Sequence, residues 1–210
     1  ERLQQLFASN GRSYEYGMQL GGGLRLNQHL VKRGHPGPPG SGKYNTVDPY
    51  GEYDQALKNF RFDALILQPY LETLDAPFDS FPKWPFFKAG SLQAAGAFID
   101  YARGKTNPGE GRWDREHANT NHVATERFYI YATWPRAESI LQQDETKTYA
   151  AYWNADYKDA AQPCRDYFDR LVEGLNQRHP DLPVPVRMIP SGEVFAVLDE
   201  KIRSDRLPGI

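Results

Sequence analysis

The sequence predicts one α/β domain over residues 1–210, with a parallel sheet at its centre. Runs of strand character alternate with runs at helical spacing along the whole chain, as a sheet joined by crossover helices requires. The run FDALILQ, residues 62–68, is continuously apolar in its middle, the pattern of a strand covered on both faces. A chain of 210 residues is also long enough for one core that buries roughly 70% of the surface its unfolded form exposes.

The elements follow in order. Glu1 to Phe7 puts Leu3, Leu6 and Phe7 on one helical face, and Asn10-Gly11 ends that helix. SYEYGMQL, residues 13–20, reads as a strand; three glycines, Gly21 to Gly23, form a turn, and LRLNQHLVK forms a short helix through Leu24, His29, Leu30 and Val31. Residues 34–52 are rich in Gly and Pro and read as a mobile loop. YDQALKNF is a short helix leading into the strand at 62–68. SLQAAGAFIDYAR places Leu92, Ala95, Phe98, Ile99 and Ala102 at helical spacing, and a long polar segment from Gly104 to Thr125 leads to the strand RFYIYAT. A helix starting near Ala161 carries the stripe Cys164, Tyr167, Phe168, Leu171, Val172 and Leu175, with Pro163 in its first turn. PVPVRMIP is the last strand. Ser191 is placed to cap the closing helix, whose Val194, Val197, Leu198 and Ile202 are expected to face inward.

The charges set limits on partners. The chain has 25 basic and 27 acidic residues, net −2, with no long block of either sign, so it has no electrostatic footprint for nucleic acid or an anionic membrane surface. No run approaches the ~20 apolar residues of a membrane span. Cys164 is the single cysteine, which rules out an internal disulfide and a cysteine-rich metal site and leaves the compartment open.

Several motifs invite a chemical reading. Gly37-x-x-x-x-Gly42-Lys43 has the spacing of a phosphate-binding loop, but Tyr44 replaces the short hydroxyl that such a loop needs for Mg²⁺, and prolines and charge upstream forbid the buried strand before it. His117 and His122 share a polar loop with Asp114 and Glu116; exposed loop histidines are ordinarily solvated, and no metal is assigned. Asp63 and Glu72 bracket the loop at Gln68 as a carboxylate pair, yet Asp63 starts the strand and so sits at its opposite end.

In parallel sheets ligands bind beyond the carboxyl ends of the strands. That rule selects the loops 20–24, 68–74, 133–136 and 190–192. Two of them, the GGGL turn followed by a helix with Asn27 and His29, and FDALILQPYLETL, together resemble the SGNH (GDSL-like) hydrolase superfamily. YIYATWPR, YFDRLVEGL and VPVRMIPSGEVFAVLDEKI resemble the second half of its bacterial members, so the likeness covers nearly the whole chain.

The resemblance implies a flavodoxin-like three-layer α/β/α fold and hydrolysis of an ester, such as one of an acylated carbohydrate, without a cofactor. Preorganised N–H donors stabilise the oxyanion that forms when a serine attacks the ester carbonyl. By resemblance Gly21 offers its backbone N–H and Gln68 a side-chain amide, Gln standing where the family commonly has Asn. Tyr70 and Trp134 fall where strand ends meet the cleft and would either hold a small-molecule or glycan substrate as aromatic walls or pack the core and anchor loops, and His29 lies where it would be either a polar contact of the cleft or a histidine of the helix surface or core. FPKWPFF reads as a rigid lid or partner contact.

Two of the family's blocks are missing. No serine stands in a Gly-Asp-Ser or Gly-Asn-Ser turn, and Asp114-Arg115-Glu116-His117 has the spacing of the base motif but precedes the strand RFYIYAT instead of following the last. The expectation is therefore that the nucleophile, the base and a central first strand belong to sequence outside these 210 residues, and that the 210 residues alone leave sheet edges unpaired. A non-catalytic relative that binds glycans or a protein through the same cleft is the alternative.

Overall fold

A computed structural model describes residues 11, 13, 15–20, 25–30, 45–70, 73–76, 89–104, 125–134, 148–160, 163–204 and 206. Gly21, the lid segment at 81–87, His117, His122, Asp114, Glu72 and the helix expected at 1–7 lie outside them.

The described chain is an α/β structure. Its elements are β1 (Gln19–Leu20), a 3-10 helix (Leu26–Leu30), β2 (Asn45–Thr46), α1 (Tyr53–Asn59), β3 (Ala64–Leu67), α2 (Ser91–Ala102), β4 (Arg127–Tyr131), α3 (Tyr149–Trp153), α4 (Arg165–Arg178), β5 (Arg187–Ile189) and α5 (Ser191–Arg203). β3, β4 and β5 form a parallel sheet in that order, with Leu65 beside Phe128, Ile66 beside Tyr129 and Tyr131 beside Ile189.

Side chains alternate across a strand, so the sheet has two unlike faces. On one, Leu67, Phe128 and Ile130 join Ala94, Ala95, Phe98 and Ile99 of α2 and Tyr167, Phe168, Leu171 and Leu175 of α4 in a single buried cluster. α2 packs on α4 and on the 3-10 helix. The other face carries Ile66, which is 56% exposed, and the half-buried rings of Tyr129 and Tyr131.

Several expectations are corrected. The strand at 13–20 shrinks to Gln19–Leu20 and pairs antiparallel with β2, apart from the parallel sheet. Pairing direction depends on what the loop between two strands allows, which local composition does not encode. The loop 34–52 is described from Asn45 on, where it supplies β2 and a turn, so its second half is ordered by pairing with β1. α4 starts at Arg165, with Cys164 in the N-cap position, instead of near Ala161. Pro190 takes the N-cap of α5, and Ser191 is its first residue with no capping bond.

The largest correction concerns the facing of α5. Val194, Val197, Leu198 and Ile202 are 54%, 42%, 39% and 46% exposed, so the stripe expected inward points outward. α5 docks instead through its small residues: Gly192 and Ala196 are buried, and the Gly192 backbone lies directly against the ring of Trp153 on α3. The Trp153 indole N–H donates to Glu193 at 2.8 Å, and Arg165 of α4 pairs with the same carboxylate at 3.2 Å. A small-residue contact lets the helix approach closely enough for these polar bonds, which a Leu or Val stripe would hold apart.

Candidate functional site

The carboxyl ends of β3, β4 and β5 lie side by side because the three strands are parallel and in register. Gln68 follows β3 with an exposed side chain, Trp134 lies three residues past β4, and Pro190 and Ser191 follow β5. Trp134 stacks on Phe195 of α5 with ring centroids 4.2 Å apart at 28°, and both rings are 37% exposed. Next to Trp134 the Thr133 hydroxyl is buried and has no hydrogen-bond partner among the described residues. The Gly192 N–H bonds back to the Ala132 carbonyl at 3.1 Å, which ties the start of α5 to this edge.

The segment after β3 is held by a set of bonds that sequence reading did not identify. Pro69 is fully buried. The Tyr167 hydroxyl lies 3.0 Å from the Tyr70 carbonyl and 2.5 Å from Ser91 Oγ. A phenol has one proton, so Tyr167 donates to the carbonyl and accepts from the Ser91 hydroxyl. Further along, the Leu74 N–H donates to the Tyr157 hydroxyl at 3.1 Å, and the N–H groups of Gly90, Ser91 and Leu92 donate to Ala76, Thr73 and Leu74. Gly90 is required for that approach, since a Cβ there would lie 2.5 Å from the Ala76 nitrogen. The turn bearing Gln68 and Tyr70 is thus clamped to the start of α2 and to α4. Tyr167→Phe is expected to cost about 2 kcal/mol, because it leaves two buried groups short of a partner. Urea unfolding measures this, and a loss under about 0.5 kcal/mol, the size of an ordinary surface change, would show that the clamp carries no energy.

His29 has a structural setting. Gln19 places its amide nitrogen 3.3 Å from His29 Nδ1 and 3.0 Å from the His29 carbonyl, while its oxygen accepts from the Tyr53 N–H at 2.8 Å. Gln19 therefore binds β1, the 3-10 helix and α1 together. Burial pushes the His29 imidazole down to about 4. The unfolded chain, with a value near 6.5, takes up the proton first as pH falls, so this stability is complete above about pH 6.5 and is lost toward pH 4. The expected loss between pH 7 and pH 5 is about 2 kcal/mol. Urea titrations of the native protein and His29→Gln at the two pH values test it: the variant should lack that part of the pH dependence, and equal slopes would remove His29 from the account.

Of the five residues expected at the site, Gln68, Tyr70 and Trp134 fall on the carboxyl edge, His29 lies in the Gln19 knot, and Gly21 lies outside the described residues. Phe195 was missed; its signal was available, since a residue one turn into the helix after the last strand must pass the strand ends. Asp100 and His179, a buried pair 3.5 Å apart, sit where α2 and α4 end. That is the opposite end of the sheet, as the bond from Thr125 N–H to the Ala102 carbonyl just ahead of β4 shows. No helix of the described residues is long and apolar enough to cross a membrane. No protein-family profile, curated protein or solved structure matches the chain.

Proposed function

We propose that the carboxyl edge of this sheet is the cleft of an SGNH-like hydrolase, in a three-layer flavodoxin-like arrangement, acting on an ester of an acylated carbohydrate or small molecule. The observation that supports it is the placement of Gln68: a solvent-facing amide at the end of β3, on a turn clamped from two sides, beside the strand end that carries Trp134. The clamp holds the backbone from which this amide projects, which keeps the donor at one place on the rim where an oxyanion would form. By the family resemblance the second donor is the N–H of Gly21, which lies outside the described residues, and the aromatic pair of Trp134 and Phe195, with Tyr70, forms the wall against which the substrate lies.

The step is acyl transfer. A serine oxygen adds to the ester carbonyl, its proton passes to a general base, and collapse of the oxyanion releases the alcohol carrying that proton. Water then cleaves the acyl-enzyme. Neither the serine nor the base is assigned to a residue, since none of the 210 presents them in the family's pattern.

The Trp134–Phe195 stack favours a second reading, a glycan-binding cleft without catalysis, because exposed stacked rings also suit sugar faces. Hydrolysis of p-nitrophenyl acetate by the native protein separates the two. Turnover above the buffer rate supports the hydrolase; no turnover, together with Trp134 fluorescence quenched by oligosaccharides, supports the binder.

A further inference from the structure

We propose that Tyr167 is a positioning residue for the oxyanion donor: its hydroxyl sets the place of Gln68 by holding the carbonyl of Tyr70. This role deepens the ester reading of the carboxyl edge and rests on it. Tyr167 is fully buried on α4, so it touches no substrate and acts through the turn. The turn has few free torsions. Pro69 fixes its own φ and confines the residue before it, Gln68, to extended backbone. Pro69 is itself fully buried, so the short span from Gln68 to Tyr70 shifts as one piece. A displacement of the Tyr70 carbonyl is therefore passed to Gln68, whose side chain is exposed at the rim.

The ring and the hydroxyl of Tyr167 have separable tasks. The ring meets Phe168 edge-on, with centroids 5.1 Å apart, and Tyr157 at 5.4 Å, contacts that a phenylalanine would keep. The hydroxyl reaches the Tyr70 carbonyl at 3.0 Å and Ser91 Oγ at 2.5 Å. Ser91 starts α2, and its donation to the phenol polarises the phenol and strengthens the onward bond to Tyr70. Tyr157 holds the same segment further along: its hydroxyl accepts from the Leu74 N–H at 3.1 Å, and its own N–H donates to Asp166 of α4, also at 3.1 Å. α4 thus grips the segment at Tyr70 and at Leu74. The grip at Tyr70 is the one beside the proposed donor.

The test is a double-mutant cycle in the full chain, with p-nitrophenyl acetate as substrate, at a temperature where each variant is folded by circular dichroism. Tyr167→Phe is expected to lower kcat about tenfold and to leave KM within about twofold. That loss corresponds to a donor displaced by roughly half an ångström, where a full ångström costs ~10². In a Gln68→Ala background the same change should alter kcat by less than about twofold, because the group that it positions is gone. Leu175→Ala, a core truncation about two turns further along α4, is the destabilised control and should leave kcat within about twofold. Should Tyr167→Phe not fold, Ser91→Ala keeps the phenol and removes the donor behind it; a loss of about threefold is expected, again absent without Gln68. A Tyr167→Phe loss below about twofold, or one of equal size with and without Gln68, overturns the role and leaves the ester reading standing. No turnover by the native protein removes the ester reading and this role with it.

Discussion

Gly192→Ala is expected to lower folding stability by about 3 kcal/mol, among the larger effects of adding one methyl group to a packed site. A Cβ at this position would lie 2.1 Å from Cζ3 of Trp153 and 2.5 Å from two more ring atoms. Trp153 has no room to retreat: it is buried, its ring packs near Phe168 of α4, and its N–H is committed to Glu193. Accommodation must come from α5 moving off α3, which would stretch the Trp153–Glu193 bond and the bond from Gly192 to Ala132. Gly174→Ala in the middle of α4 is the control. There the added carbon's nearest neighbours are the two Leu92 methyls at 3.0 and 3.3 Å, the end of a flexible side chain, and the helix gains propensity, so the net change should stay within about 1 kcal/mol. Urea unfolding of both variants decides the matter; a Gly192→Ala loss no greater than that of the control would mean that α5 is not seated on Trp153. Trp153→Phe removes the clashing ring atoms, so adding Gly192→Ala to it should cost less than in the native background.

Gln68→Ala is expected to reduce kcat for p-nitrophenyl acetate by about 10²–10³, the loss seen when one oxyanion donor is removed. On the proposed reading its KM should change little, since an oxyanion donor acts on charge that develops only in the transition state. The side chain is exposed and ends a strand, so stability should hold within about 0.5 kcal/mol, which separates a catalytic loss from an unfolding one. Gln68→Glu keeps the shape and removes the N–H donors, and it should be at least as slow as the alanine variant. A loss below about tenfold for Gln68→Ala removes this residue from the oxyanion hole.

How much of this was legible in the chain depended on what each signal encodes. The stripe of α4 foretold its buried side: Cys164, Tyr167, Phe168, Leu171 and Leu175 all sit in the core. The β3 run foretold a strand of the parallel sheet, and with it the place of Gln68, but the cover expected on both of its faces is missing at Ile66, which is 56% exposed. α5 shows the limit. Its apolar stripe was plain, but periodicity defines a face without naming what covers it, and the helix docks by Gly192 and Ala196 instead. α3 was missed because YAAYW is too short for a helical period; Thr148, whose hydroxyl accepts from the Ala151 N–H at 3.1 Å, was the available cue. The clamp on the Gln68 turn was invisible for another reason. Tyr167 and Tyr70 are 97 residues apart, and no local rule relates them.

Trapping the acyl-enzyme tests the central claim most directly. The native protein treated with a fluorophosphonate, which phosphonylates an activated serine, should gain one adduct by intact mass and lose its ester turnover in step. Gln68→Ala should label more slowly. Absence of both adduct and turnover in the folded native protein, or an adduct on Ser191 at the start of α5, would contradict the hydrolase assignment as drawn.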